Sequence, residues 1–341
     1  FPVCDPRTGE EICQVEESTK ADVDKAVKAA RNAFRNDSEW RKMEAVVRLW
    51  QVSNMSVLRG VHDFLELLGN TIILKPAEET PLMALYCASL LDEVGRRVQE
   101  LAIKSNFKRL SLELFEKCPL IICEDADLDS AVALTYRAIF ADSAQSCFAG
   151  SRIFVHEKIY DRFVIKCVEL VTQCVVGDPF DPETAQGPQI NDEKLKKIIQ
   201  FIESGKKQGA KLECGGERFG TNGFFVQPTI FSNVTDDMDI ASDEMIGPIM
   251  SVLKYHDYDE VITRANNTKW GLAAGMITKE KTQANYLVSS LQARTVWINE
   301  YDAAINLLPF GRYSHAGGKK DFGGYDFNEY YELKRVATNL S

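Results

Sequence analysis

Apolar residues recur along the chain at two periods, and the alternation of those periods is the first sign of its architecture. Over 20–34, Val23, Ala26, Val27, Ala30 and Phe34 fall three and four apart above a face of Lys and Asp. That spacing predicts an amphipathic helix lying on a core, with Thr19 as its cap. Residues 71–74 form a short β-branched run of the kind buried in a parallel sheet, and the polar turn Lys75-Pro76-Ala77-Glu78-Glu79-Thr80-Pro81 follows. Thr80 as N-cap and Pro81 as first helical residue start the next helix, which makes half of a βαβ unit. Ligands of open α/β sheets sit beyond the carboxyl ends of strands, where Lys75 and Glu78 would lie.

Further along, residues 120–123 read as a strand and 127–144 as a helix, with Cys147 just after it. Residues 152–155 read as a strand and 158–175 as a helix. A helix over 192–203 turns Leu195, Ile198, Ile199 and Ile202 inward and stops at Gly205. A strand at 252–255, helices at 258–266 and 280–292, and a strand at 295–298 continue the alternation, which predicts an α/β fold built on a parallel sheet. The Gly215-Gly216 pair reads as a hairpin turn. Residues 1–112 are poorer, with one convincing strand beside a hairpin-like stretch over 3–15, and with neither a G-x-G-x-x-G motif nor a P-loop.

Composition narrows the function classes. With 341 residues, 45% of them hydrophobic, the chain can bury two cores. A formal net charge of −10 argues against nucleic acid or an anionic membrane as partner. The basic run Lys194-Leu195-Lys196-Lys197 reads as a solvated helix face. Nine scattered cysteines, with no Cys-x-x-Cys pair and no histidine cluster, suit a reducing compartment, so cytoplasm is the expectation and no metal site is expected. His62, His156, His256 and His315 read as structural or surface residues. No apolar run is long enough to span a membrane and no leader pattern opens the chain. The chain begins at Phe1 rather than at Met, as a fragment or an incomplete gene model would.

Five short segments carry a family resemblance: Lys75-Pro76-Ala77-Glu78, Leu112-Glu113-Leu114, Gln145-Ser146-Cys147 with Ala149-Gly150-Ser151-Arg152, Glu244 before Gly247-Pro248, and Pro309-Phe310-Gly311. Together they resemble the aldehyde dehydrogenase superfamily, in order and over nearly the whole chain. Phe1-Pro2-Val3, Ile202-Glu203-Ser204-Gly205-Lys206-Lys207, Gly209-Ala210-Lys211-Leu212-Glu213-Cys214-Gly215-Gly216 and Arg264-Ala265-Asn266-Asn267 are similar to the class 1 cytosolic and retinal dehydrogenase group. The resemblance implies a doubly wound cofactor domain, here truncated, over 1–112, an α/β catalytic domain over 113–325, and a C-terminal oligomerisation segment over 326–341.

It also implies a chemistry. A cysteine thiolate attacks the aldehyde, the thiohemiacetal passes hydride to NAD, and a glutamate activates the water that releases the acid. Cys147 and Glu113 match those two catalytic positions. Lys75 and Glu244 match residues that hold the cofactor's riboses, Glu78 lies beside Lys75, and Asn299 matches a buried asparagine near the active site. A small aldehyde, with retinal a candidate, would be the substrate, and self-assembly or assembly with an intact relative is implied.

The departures are as specific as the matches. The family's Glu-Leu-Gly-Gly-Lys reads Glu113-Leu114-Phe115-Glu116-Lys117, replacing glycines that let backbone pass close to the nicotinamide. The Pro-Trp-Asn-Phe-Pro segment, whose Asn donates to the oxyanion, is absent between Trp50 and Gly69. The Phe-Thr-Gly-Ser-Thr loop, which offers a helix N-terminus to the cofactor phosphates, is also absent, although its sequel survives as Glu93-Val94-Gly95. Arg294 and Gly311-Arg312 replace small residues, 315–324 is rearranged, and the strand arm used for assembly is missing although Glu332-Leu333-Lys334-Arg335-Val336 remains. The expectation is weak or absent NAD-linked oxidation. The alternatives are a non-catalytic structural or interaction protein, and a cofactor-independent esterase using Cys147 and Glu113.

Overall fold

The computed structural model describes residues 2–15, 17–35, 37–42, 100–101, 103–104, 117–141, 145–243, 247–268, 271–301, 334–335 and 337. The strand expected at 71–74, Lys75, Glu78, Glu113, Glu244, His62 and His315 lie outside them. The chain divides into two compact units, one of Phe1–Val3, Glu11–Ser89 and Gly324–Ser341, the other of Cys4–Glu10 and Leu90–Gly323.

At the N-terminus, strands β1 (Pro2–Cys4) and β2 (Glu11–Gln14) pair in a two-stranded sheet, as the hairpin-like pattern suggested. Helix α1 (Lys20–Phe34) has the expected bounds. Thr19 Oγ1 accepts from Asp22 N while the Asp22 carboxylate accepts from Thr19 N at 2.8 Å, a capping box that satisfies two orphan donors. The expected burial of its apolar stripe is not seen: α1 has no buried residue, and Val23 and Phe34 are exposed. A short helix α2 (Glu39–Lys42) follows.

In the larger unit a seven-stranded sheet comprises β3 (Pro119–Ile122), β4 (Arg152–His156), β5 (Lys211–Cys214), β6 (Thr229–Ser232), β7 (Ile249–Tyr255), β8 (Ala273–Ile277) and β9 (Thr295–Ile298). The order is β5-β6-β7-β4-β3-β8-β9. Every pairing is parallel except β5 with β6. The buried strands are mostly apolar, without the alternation of a half-exposed sheet, because both faces are covered. Leu120, Ile122, Ile153 and Val155 point to one face, under α3 (Leu128–Phe140) and α4 (Tyr160–Val171). Ile121, Phe154 and Leu253 point to the other, under α5 (Asp192–Lys207), α6 (Asp239–Ser242), α7 (Tyr258–Ala265) and α8 (Lys281–Ser290). This is the α/β architecture that the alternating periods predicted.

The differences have local causes. Gly205 does not stop α5, which runs on to Lys207; it lies buried within the helix, where a Cβ would meet the Ile240 side chain at 3.0 Å. Gly215 does not make a two-residue turn. It opens a connection over 215–228 between β5 and β6, with φ at +71° and the Pro228 carbonyl oxygen 2.1 Å from where a Cβ would stand. Strand β8, Ala-Ala-Gly-Met-Ile, escaped the pattern because Ala and Gly are poor strand formers. Lys194 does not share the solvated face of Lys196 and Lys197: it is half-buried, and burial pushes its ammonium down to about 8.

Candidate active site

Cys147 sits in a tight turn between α3 and β4, half-buried against the core beneath those elements. The helix fixes one end of this segment and the sheet the other. Gly150 N donates to Ala138 O at 3.1 Å, and Arg152 N to Cys118 O at 3.4 Å, where β4 enters alongside β3. The turn is held internally by Ala149 N to Ser146 O at 3.2 Å and by Phe148 N to Ser146 Oγ at 3.4 Å. Cys147 therefore lies toward the amino ends of β3 and β4, not at the carboxyl ends that the general rule for open sheets favours.

An aromatic brace supports the turn from β9. The Phe148 ring packs on Trp297 at 5.7 Å, Trp297 on Tyr301 at 4.6 Å, and the Tyr301 hydroxyl donates to Phe148 O at 2.6 Å. Gly150 makes room for it, since a Cβ there would meet the Tyr301 hydroxyl at 3.1 Å. Beneath the turn the Cys118 thiol, fully buried, donates to Cys147 O at 3.9 Å. None of these supports was read from the sequence. The aromatic following Cys147 was a local signal, but Trp297 and Tyr301 are some 150 residues away in the chain and become neighbours only through sheet order.

The described cysteines, eight in all, are thiols and not disulfides. Three of them are poor nucleophiles because of burial, which pushes Cys123 up to about 12 and Cys214 up to about 11, and holds Cys167 higher still. Cys147 is half-buried in its turn, as Cys4, Cys174 and Cys214 are in their own settings. Lys117, four residues after Glu113, is buried and donates to Ile240 O at 3.1 Å with its ammonium 5.3 Å from the Phe201 ring. Asn299 departs from its expectation of burial near the active site. It is exposed at the exit of β9, with φ at +54°, accepting from Thr278 N at 2.9 Å and donating to Thr278 O at 2.8 Å.

The aldehyde dehydrogenase family model matches residues 1–58 and 92–336. The chain belongs to the aldehyde dehydrogenase family. Human aldehyde dehydrogenase 1A1 is 37% identical over 460 residues, covering 100% of this chain and 92% of that protein. Retinal dehydrogenase 2 of Rattus norvegicus is 36% identical over 459 residues, covering 100% and 89%. Among solved structures, the NAD+ complex of a Bacillus cereus aldehyde dehydrogenase superposes with a TM-score of 0.89 at 28% identity, covering 100% of this chain and 93% of that one. The family fold is thus kept in this chain. No helix among the described residues is long and apolar enough to cross a membrane, and no group of His, Cys, Asp or Glu among them could hold a metal ion.

Proposed function

We propose that this aldehyde dehydrogenase-family chain keeps the family's nucleophile, Cys147, but little or none of the NAD-linked oxidation of an aldehyde to a carboxylate. The observation that carries the reading is where the family match breaks. The family model skips residues 59–91, and 460 aligned positions set against 341 residues leave at least 119 without a residue of this chain. We read the chain as truncated in its cofactor half. The phosphate loop and the oxyanion asparagine are the elements lost, and their absence from the sequence is the specific reason to expect a slow reaction.

The donor chemistry left for NAD is lopsided. Lys75 and Glu244, with Glu78 beside Lys75, suit ribose hydroxyls, which accept from an ammonium and donate to a carboxylate. A pyrophosphate needs backbone N–H groups at a helix N-terminus, and the sequence has lost that loop. The set fits half of the cofactor, so the mechanism is built first on Cys147. Its half-buried turn, braced by Phe148, Trp297 and Tyr301, gives the sulfur a defined place. The substrate to try first is retinal, followed by short aldehydes, because relatives are named for the former. The naming of relatives as cytosolic supports a cytoplasmic location.

Removal of one oxyanion donor costs on the order of 10²–10³ in rate. NADH formation is therefore expected at least about 10²-fold below that of an intact relative, with no saturable heat on titrating NAD into the folded chain. A rate near that of the relative, abolished by Cys147→Ala, overturns the proposal. A second reading rests on the same turn: Cys147 could attack an ester, expel the alcohol and form a thioester that water, deprotonated by Glu113, would cleave. Nitrophenyl ester hydrolysis unchanged by Cys147→Ala excludes it.

A further inference from the structure

The contact beneath the turn has a chemical consequence of its own. Cys118 is fully buried at the entry to β3, and its thiol is aimed at the backbone of Cys147, donating to that carbonyl at 3.9 Å. A carbonyl oxygen lies about 2.4 Å from its own Cα, so the Cys118 sulfur is no more than about 6 Å from the Cys147 Cα. Cys118 and Cys147 also pack in the same core cluster. Cys147 lies in a turn rather than a strand or helix, so moving its side chain breaks no ladder. Cys123 belongs to the opposite core layer, and Cys167, although in the same cluster, lies on α4 beside Cys214 of β5.

We propose that Cys118 is the resolving cysteine of a peroxide-reactive pair, and that oxidation of this protein by hydrogen peroxide ends in a Cys118–Cys147 disulfide. The proposal rests on the reading of Cys147 as an accessible nucleophile. The Cys147 thiolate attacks the peroxide O–O bond, forming the S–O bond of a sulfenic acid and releasing hydroxide, which takes up a proton to become water. The Cys118 sulfur then attacks the sulfenyl sulfur. Its S–H proton leaves with the displaced hydroxide as a second water, and the S–S bond forms. Two thiols are oxidised by two electrons, and the peroxide is reduced to two waters. A buried thiol is ordinarily inert. Cys118 escapes that limit because its target forms within the same packed cluster and needs no diffusing partner. The disulfide would hold Cys147 inactive but recoverable, before the irreversible sulfinic acid forms.

The test uses the full-length chain and hydrogen peroxide. The reduced protein is exposed to rising peroxide, blocked with an alkylating agent, digested without reductant and mapped by mass spectrometry. The expected main product joins the Cys118 and Cys147 peptides, and reductant restores alkylation of Cys147. In Cys118→Ser, which keeps a donor at that position but removes the sulfur, Cys147 is expected to pass to sulfinic acid and to stay unalkylated after reduction. Mapping of the unmodified chain decides the matter alone if that variant does not fold. Sulfinic Cys147 as main product in the native chain, or a disulfide to any other cysteine, overturns the proposal while leaving Cys147 a reactive thiol. Failure of the untreated chain to alkylate at Cys147 overturns both this inference and the reading beneath it.

Discussion

Helices α1 and α5 carry nearly the same local code and meet different fates. They run 15 and 16 residues, each opens on a polar side chain accepting from the third residue on, and each has acids in its first turn and bases in its last. Each shows apolar residues three and four apart. Yet α5 buries Leu195, Ile198, Phe201, Ile202 and Gly205 against the sheet, while α1 buries nothing. Periodicity and caps decide that a helix forms. Whether its stripe is covered depends on the rest of the fold supplying a partner, and most helix stability in proteins comes from that covering. The contrast runs along the chain: the sheet-bearing residues that follow Lys117 retain both layers of their core, and α1 lies in the earlier part, where the family model leaves residues 59–91 unmatched.

The sharpest way to break this comparison is to cut the same stripe in both helices. Ile198 is fully buried, so Ile198→Ala is expected to lower unfolding free energy by about 2–5 kcal/mol through lost transfer energy and the cavity left behind. Val23, half exposed, should cost no more than about 0.5 kcal/mol when changed to Ala. Urea unfolding followed by circular dichroism reads both. A Val23→Ala cost matching that of Ile198→Ala would mean α1 is packed in solution, and the two helices would then teach the same lesson.

Much of the sheet-bearing half was legible in the sequence because its signals are local. Strand 295–298 was read with its final bounds, and the neighbouring helices to within a few residues, because β-branched runs and helical stripes need only adjacent residues to be seen. The family motifs that point to Cys147 are local in the same way. What sequence could not supply was adjacency across the sheet. Tyr301 reaching Phe148, and Cys118 reaching Cys147, follow from β3 lying beside both β4 and β8, with β9 beyond β8. Helix α1 is the converse case, since its amphipathic pattern was real and the inference of a covering core was not.

Lys194 offers a smaller test on the first turn of α5. Burial, with a lesser contribution from the Lys197 charge, pushes its ammonium down to about 8 from 10.5, and the positive end of the helix dipole is no place for a cation. The unfolded chain therefore holds the proton more tightly. Between about 8 and 10.5 it binds more protons than the folded chain, so this residue's contribution to stability rises with pH across that window. Below it both states are charged and the folded chain bears the whole cost. Lys194→Met should stabilise by on the order of 1–2 kcal/mol at neutral pH, less as pH climbs toward the unfolded value. A gain that is the same at pH 7 and near the top of that window would mean packing, not charge, is responsible.

The finest division between the two helices lies at their caps. Asn191 Oδ1 accepts from Lys194 N at 2.8 Å, and Thr19 with Asp22 closes the box on α1. Changing either cap to Ala removes a bond worth about 1 kcal/mol to its own helix. In α5 that loss is transmitted to the cooperative unit, because unravelling its first turn uncovers Leu195 and Ile198; Asn191→Ala should lower global stability by about 1 kcal/mol. In α1 no buried side chain is uncovered, so Thr19→Ala should leave the main transition within about 0.5 kcal/mol. Its effect should appear as faster amide exchange confined to the first turns of α1, where opening is local. Slowed exchange across the sheet, or a shift of the main transition equal to that of Asn191→Ala, would show that α1 is coupled to the core after all.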